Sequence, residues 1–278
     1  MSLFITSLNS GSNGNCYYIG NGQEAVLVDA GISCRETEKR MRRLGLSMQN
    51  VKAIFISHEH GDHIRGLQSI THKYNLPVYI TAPTMRHSRL ILGDAILQSF
   101  NAHQPVQIGG LSITAFPKLH DASDPHSFVI NGSGVTIGVF TDIGMPCENV
   151  IRYFKQCHAA FLEANYDDGM LERGRYPHHL KARIRGDKGH LSNEQALQLF
   201  KMHRPSFMTH LLLAHLSKDN NNPDLALQLF STHSDTTNIV VASRYEETVV
   251  YQVMANSITK PVVKLQPARR HAVQTSLF

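Results

Sequence analysis

Six consecutive residues, His58-Glu59-His60-Gly61-Asp62-His63, bring three imidazoles and a carboxylate directly behind the apolar run Val51-Lys52-Ala53-Ile54-Phe55-Ile56. The run reads as a buried strand, which puts the cluster on the loop at its C-terminal end. Two histidines at i and i+2 can converge on one cation, while the aspartate and histidine that follow point toward a second cation close by. A solvated His-rich loop is the plain alternative. First-row metal chemistry is the stronger reason to crowd such groups at one spot.

A chain built around that loop must bring further ligands to it. Asp29 ends the apolar stretch Ala25-Val26-Leu27-Val28 and is followed by Ala30-Gly31. His120 ends residues 111–119 and precedes Asp121. Asp142 ends residues 135–141 and precedes Ile143-Gly144, and His215 ends residues 207–214. One ionisable residue at a strand end is ordinarily a cap or a turn. Four of them beside the hexapeptide predict a common sheet edge at which all gather.

His-x-His-x-Asp-His after a strand, with Asp29, His120, Asp142 and His215 in this order, resembles the metallo-β-lactamase-fold hydrolases over residues 1 to about 255. Ser10-Gly11-Ser12-Asn13-Gly14-Asn15-Cys16, Lys188-Gly189-His190-Leu191-Ser192-Asn193 and His215-Leu216-Ser217 narrow the resemblance to its YycJ-like (WalJ) branch, whose studied members are DNA exonucleases. The resemblance implies an α/β (α+β) fold, a four-layer αββα sandwich, in one domain spanning residues 1–255. It implies that His58, His60 and His120 hold one metal, that Asp62, His63 and His215 hold another, and that Asp142 bridges them. Asp29 would stand behind the ligands, orienting a histidine through its ring N–H. A solvent molecule shared by the two cations would be acidified toward neutrality and attack phosphorus as hydroxide. Histidine and carboxylate donors without thiolate suit two zinc ions, and manganese is also acceptable.

Phosphodiester hydrolysis expels an alkoxide that a general acid protonates. His190, in its Gly-His-Leu-Ser setting, is placed like the catalytic histidine of tRNase Z-type phosphodiesterases, and Glu163 resembles the acidic residue that orients it. His190 as a helix cap or phosphate ligand, or as a metal ligand in place of His215, are the alternatives.

The net charge of +5 leans toward an anionic partner. Its distribution says more: Arg173, Arg175, His178, His179, Lys181, Arg183, Arg185 and Lys188 face Asp187 alone as an acid. Either this is a solvated loop, or it is a rim where Arg183, Arg185 and Lys188, with Ser192 and Asn193, contact a phosphodiester backbone. Residues 10–15 lack the Lys-Ser/Thr ending of a P-loop and read as a tight turn near the metal edge, with substrate contact left open.

The N-terminus has no basic region ahead of an apolar stretch, and no window approaches a membrane span. The four cysteines form no CxxC pair, so a reduced, cytoplasmic protein is expected. The stretch between Asp142 and His215 is too short for the clamping domain of RNase J-like enzymes, which favours DNA over RNA. Residues 256–278 read as a flexible basic tail ending Gln274-Thr275-Ser276-Leu277-Phe278. Gln274, Leu277 and Phe278 resemble the peptide by which bacterial repair proteins dock on the DNA sliding clamp.

Patterning predicts strands at residues 3–8, 16–19, 25–28, 78–80, 111–119, 127–131, 135–140, 159–163, 207–213, 239–242 and 248–253. Helices are predicted from the Ser33 cap to Leu44, over residues 64–74, behind the Ser192–Gln195 cap, and near 224–230. These features predict a metal-dependent phosphodiesterase acting as a DNA exonuclease. The rivals are a phosphodiesterase for cyclic phosphates or oligonucleotides, and a non-catalytic metalloprotein that binds DNA or the clamp. A protein freed from catalysis need not keep every ligand position, which counts against the second rival.

Overall fold

The computed structural model describes residues 2–255. In the first half of the chain, β1 (Ser2–Asn9), β2 (Cys16–Gly20), β3 (Ala25–Val28), β4 (Val51–Phe55), β5 (Val78–Tyr79) and β6 (Leu97–Gln98) lie side by side in one sheet. The second sheet runs from β7 (Pro105–Ile108) through β8 (Leu111–Pro117), β9 (His126–Gly132), β10 (Val135–Phe140), β11 (Ala159–Glu163) and β12 (His210–Ala214) to β13 (Asn238–Val241). A last strand, β14 (Tyr251–Met254), returns to pair antiparallel with β1. Strands β3 to β6 run parallel, as do β10 to β13. Parallel strands finish on one edge, so whatever follows β3, β4, β10 and β12 is delivered to the same side of its sheet.

The helices are α1 (Cys34–Arg43), α2 (Gly61–Ile64), α3 (Leu67–Tyr74), α4 (Ala82–Ser88), α5 (Glu148–Phe154), α6 (Asp168–Arg173), α7 (His178–Arg185), α8 (Asn193–His203) and α9 (Pro223–Ser231). Between the sheets, Leu3, Tyr17, Val26 and Phe55 pack with Phe128, Ile137 and Phe161. Aromatic pairs stitch the two leaves: Tyr17–Phe161 at 4.8 Å and Phe55–Phe128 at 5.8 Å between centroids. Met41, Leu67 and Ile70 cover the outer face of the first sheet over Leu27 and Ile54. Phe154, Leu197, Phe200 and Phe230 cover the second over Phe140, Leu162 and Leu213. Strands buried on both faces explain why their sequences are near-continuous apolar runs. The αββα sandwich expected from the resemblance is the observed fold.

The predicted caps form. Ser33 Oγ accepts from Glu36 N at 3.2 Å, and Ser192 and Gln195 make a reciprocal capping box. Other expectations need correction. The helix predicted over residues 64–74 is interrupted at Arg65-Gly66, because Gly66 N donates out of the helix to Ala30 O at 2.8 Å while Asp62 O accepts from Asn15 N at 2.7 Å, and a Cβ on Gly66 would stand 1.8 Å from Ile32 O. The strand predicted over 111–119 stops at Pro117, which has no N–H to extend the ladder. Residues 178–185, read as a charged segment of weak periodicity, form α7, a helix with no buried residue. The strand predicted at 248–253 is displaced to Tyr251–Met254, since Thr248 is held side-on by Thr6 and Ser7 instead. Strands β6 and β7 and helices α4, α5 and α6 were not foreseen. Among the described residues, no helix is long and apolar enough to cross a membrane. The basic tail and its clamp-like peptide, residues 256–278, lie outside the described residues.

Candidate metal centre

Three of the strand-end residues adopt left-handed backbone: Asp29 at φ 62°, Asp142 at φ 53° and His215 at φ 55°. Non-glycine residues enter this region rarely and stay where surrounding contacts over-determine them. Asp29 N donates to Phe55 O at 2.9 Å, and its carboxylate accepts from Ser57 N at 2.8 Å and Ser57 Oγ at 2.9 Å. His215 N donates to Ser10 Oγ at 2.7 Å, and His215 O accepts from Asn165 Nδ2 at 2.8 Å. Two residues past Asp29, Gly31 lets its loop lie flat against the hexapeptide. A Cβ there would meet Asp62 O at 1.7 Å, and the neighbouring Ala30 N donates to His63 O at 2.7 Å.

The result is a compact donor cluster. His58 Nε2 lies 3.0 Å from His60 Nδ1, which lies 3.3 Å from His120 Nε2. Asp62 Oδ2 lies 3.3 Å from His215 Nε2 and 3.5 Å from His63 Nε2. Donors bound to one zinc at about 2.0–2.1 Å sit about 3.3–3.4 Å apart at tetrahedral angles, so both sets have the spacing a cation requires. Asp142 lies between them, Oδ2 at 3.1 Å from His63 Nε2 and Oδ1 at 3.8 Å from His120 Nε2. That Oδ2 is buried and accepts no hydrogen bond. A buried carboxylate oxygen without an aligned donor, beside imidazole nitrogens that converge on one another, fits bound divalent metal.

The rings of His58, His63, His120 and His215 are held from behind. Asp29 Oδ2 takes His63 Nδ1 at 2.7 Å, Ser57 Oγ meets His58 Nδ1 at 2.9 Å, and Gly189 O takes His120 Nδ1 at 3.0 Å. Glu163 Oε1 serves two rings, His215 Nδ1 at 2.9 Å and His190 Nδ1 at 2.8 Å. Its other oxygen accepts from the backbone of Ile143 and Leu191 at 2.7 and 3.2 Å. Such partners fix the tautomer and aim the opposite nitrogen.

Burial, with His63 beside it, drives His58 well below its ordinary pKa, and burial outweighs Asp142 to bring His120 down to about 4. Both rings are therefore neutral and ready to donate lone pairs. For His63 and His215 burial acts the same way but loses. Asp142, Asp29 and Asp62 hold His63 well above its usual value, and Asp142, Asp62 and Glu163 hold His215 at about 10. Burial alone would raise Glu163, yet His190 and His215 bring it to about 2. A cation entering beside His63 and His215 displaces their protons.

The cluster opens into a cleft of about 260 Å³. His60, Asp62, Asp142, His190 and His215 form its base, and Leu180, Arg183 and Ile184 of α7 overhang it. His190 is the most open of the histidines paired with a carboxylate there, with 23% of its side chain exposed. Of the expected phosphate contacts, Arg183 borders the cleft and pairs with Asp121 at 2.5 Å. Arg185 pairs with Glu172 at 2.6 Å, and neither it nor the exposed Lys188 lines the cleft. Ser192 and Asn193 are corrected: both are buried, one consumed by the helix cap and the other exchanging amide hydrogen bonds with Asn221. Two residues that hold the site had no assigned role, Ser57 and Asn15. The Asn15 amide reaches Asp62 Oδ2 at 3.2 Å from the loop read as a turn. Buried Lys118, donating to Thr141 O at 2.6 Å beside Asp142, was also unforeseen.

A family model described as a β-lactamase superfamily domain matches residues 24–215. The chain is 34% identical over 229 residues to the exodeoxyribonuclease YycJ of Bacillus anthracis, covering 81% of this chain and 87% of that one. It is 30% identical over 224 residues to the exodeoxyribonuclease WalJ of Streptococcus pneumoniae strain D39, covering 79% and 83%. The crystal structure of the metallo-β-lactamase-fold protein YhfI from Bacillus subtilis superposes with a TM-score of 0.69 at 17% identity, over 91% of this chain and all of the other. Fold, donor cluster and sequence relationship agree, and the chain belongs to the metallo-β-lactamase-fold hydrolases, in the branch that contains YycJ and WalJ.

Proposed function

We propose that the protein is a dinuclear metal-dependent DNA exonuclease. The observation that carries the reading is His190 lining the cleft beside the donor cluster with buried Glu163 behind it, where a hydrolase that expels an alkoxide needs a proton source. The relationship to two exodeoxyribonucleases over most of the chain supports DNA as the substrate.

In this reading His58, His60 and His120 hold one divalent ion, Asp62, His63 and His215 hold the second, and Asp142 offers an oxygen to each. Zinc suits the donors and manganese is acceptable. The ions, when bound, supply a water-derived nucleophile at neutral pH and neutralise charge on the phosphate. The protein does the positioning. Asp29, Ser57 and Gly189 O keep the rings of His63, His58 and His120 aimed at the cluster. Glu163 takes Nδ1–H of His190, which leaves Nε2 as the nitrogen that delivers a proton to the departing 3′ or 5′ oxygen. Arg183 overhangs this point in an exposed pair with Asp121, and an entering phosphate can take over its guanidinium. Four cysteines without disulfides fit a cytoplasmic protein.

The test is hydrolysis of end-labelled single- and double-stranded DNA by metal-depleted protein after zinc or manganese is restored, beside bis(p-nitrophenyl) phosphate. Progressive shortening of the DNA is expected. Turnover of the small diester alone would move the substrate to a small phosphodiester.

A sliding-clamp partner is a separate proposal, resting on Gln274, Leu277 and Phe278. A Leu and an aromatic anchor on a peptide arm suit a shallow apolar pocket. Deleting residues 274–278 is expected to abolish capture by an immobilised bacterial clamp while DNA hydrolysis stays unchanged. Undiminished capture would sink the idea.

A further inference from the structure

The segment between β13 and β14 has no regular secondary structure, yet three successive carbonyls in it are held. Ser243 O accepts from Ser10 N at 3.1 Å, Arg244 O from Asn13 Nδ2 at 2.8 Å, and Tyr245 O from Arg40 Nη2 at 2.9 Å. Arg40 is itself buried, spending its remaining donors on Leu8 O, Asn9 and Glu36. A buried guanidinium that anchors a surface loop makes the loop rigid without adding anything to the core. What the loop presents is then fixed in space.

It presents an arginine and an aromatic ring. Tyr245 is 70% exposed, with the Arg244 guanidinium 6.0 Å from its ring centroid. Arg244 Nη2 donates to Ser12 Oγ at 3.3 Å, and Ser12 lines the metal cleft. Arg244 also acts electrostatically on Tyr176, which lines the cleft as well. Its Nη1 is buried and has no hydrogen-bond partner, so one guanidinium donor is left unspent. The backbone approach is tight: a Cβ on Gly11 would lie 3.3 Å from Arg244 Cβ and 3.5 Å from Leu216 O. The glycine-rich turn thus sits between Arg244 and the loop that carries His215.

We propose that Arg244, Ser12 and Tyr245 form a strand-gripping subsite that takes an unpaired nucleotide adjacent to the scissile phosphate. The guanidinium and the Ser12 hydroxyl bind its phosphate, and the Tyr245 ring stacks on its base. Stacking on an exposed aromatic needs a base released from its pair, so the subsite selects single-stranded ends over blunt duplex. Any base offers a ring face, so the grip is indifferent to sequence. This deepens the nuclease reading and rests on it for the identity of the strand.

The test has a binding arm and a kinetic arm. In the first, the metal-loaded full chain is titrated into a fluorescent phosphorothioate oligothymidine and a blunt duplex, followed by anisotropy at several salt concentrations. The wild type is expected to bind the single strand more tightly. Tyr245→Ala weakens it roughly tenfold, the size of one lost base stack, whereas Tyr245→Phe keeps it. Arg244→Gln weakens it and lowers the salt slope by about 0.7, the share of one single-strand phosphate. Neither side chain supports the core, so thermal midpoints stay put. In the second arm, both variants raise KM for single-stranded DNA and leave turnover of bis(p-nitrophenyl) phosphate unchanged. Variants that bind the oligonucleotide like the wild type overturn the subsite, as does a wild type without preference for the single strand. Binding lost in the variants while the wild type fails to shorten DNA would uphold the subsite and overturn the nuclease reading.

Discussion

Asp142→Asn is expected to reduce DNA hydrolysis by at least about a thousandfold and to lower bound metal from two ions toward one, measured by elemental analysis of protein dialysed against chelator-treated buffer. The substitution is chosen to spare the fold. Asparagine tolerates left-handed backbone as aspartate does, so φ 53° is kept. It changes the chemistry where that matters. Oδ2, buried and unpartnered 3.1 Å from His63 Nε2, loses its charge. An amide nitrogen placed there cannot ligate a cation, and one placed at Oδ1 faces His120 and His215 with donors instead of a lone pair. Two ions retained at native affinity, with a rate within tenfold of the wild type, would remove Asp142 from the bridging position.

His190→Ala is expected to slow DNA hydrolysis by about 10² to 10⁴, the range of a lost general acid. The discriminating observation is the leaving group. A nucleotide alkoxide needs a proton to depart, whereas p-nitrophenolate leaves without one, so bis(p-nitrophenyl) phosphate should be hardly affected. Glu163→Gln should slow both reactions in the same pattern, because a neutral amide holds the His190 ring 2.8 Å away less firmly than the carboxylate does. It also disturbs His215, so its metal content is expected to fall while that of His190→Ala does not. Equal losses on both substrates would make His190 a ligand or a structural residue.

The legible parts of the molecule were those with a local signature. An ionisable residue ending an apolar run announces itself, and Asp29, His120, Asp142 and His215 all stand beside the hexapeptide. The Ser33 and Ser192 caps were equally local. Contacts between distant segments left no such trace. Ser192 and Asn193 looked available to phosphate because they are polar and follow His190, but the cap and the Asn193–Asn221 pair at 2.9 Å use them internally. Gly66 breaks a helix whose apolar spacing continues through it, for a reason that lies on Ala30 and Ile32. Charge dominated the reading of residues 173–188 and hid the weak apolar edge, Leu180 and Ile184, by which α7 faces the cleft. Arg244 and Tyr245 belong to no motif, and their placement depends on Arg40, far away in the chain.

Both donor sets draw on both leaves of the sandwich. His58 and His60 follow β4 and Asp62 and His63 lie on α2, while His120 follows β8 and His215 follows β12. An ion in either set is therefore a rivet between the two leaves at the edge where they meet. Starved of metal, the seam would rest on the pairs that Asp62, Asp142 and Glu163 make with His63 and His215. Opening fluctuations would concentrate at that seam and spare the aromatic stitching of Tyr17, Phe55, Phe128 and Phe161 deeper in. Metal supply would then govern how long each copy survives proteases as well as how fast it works.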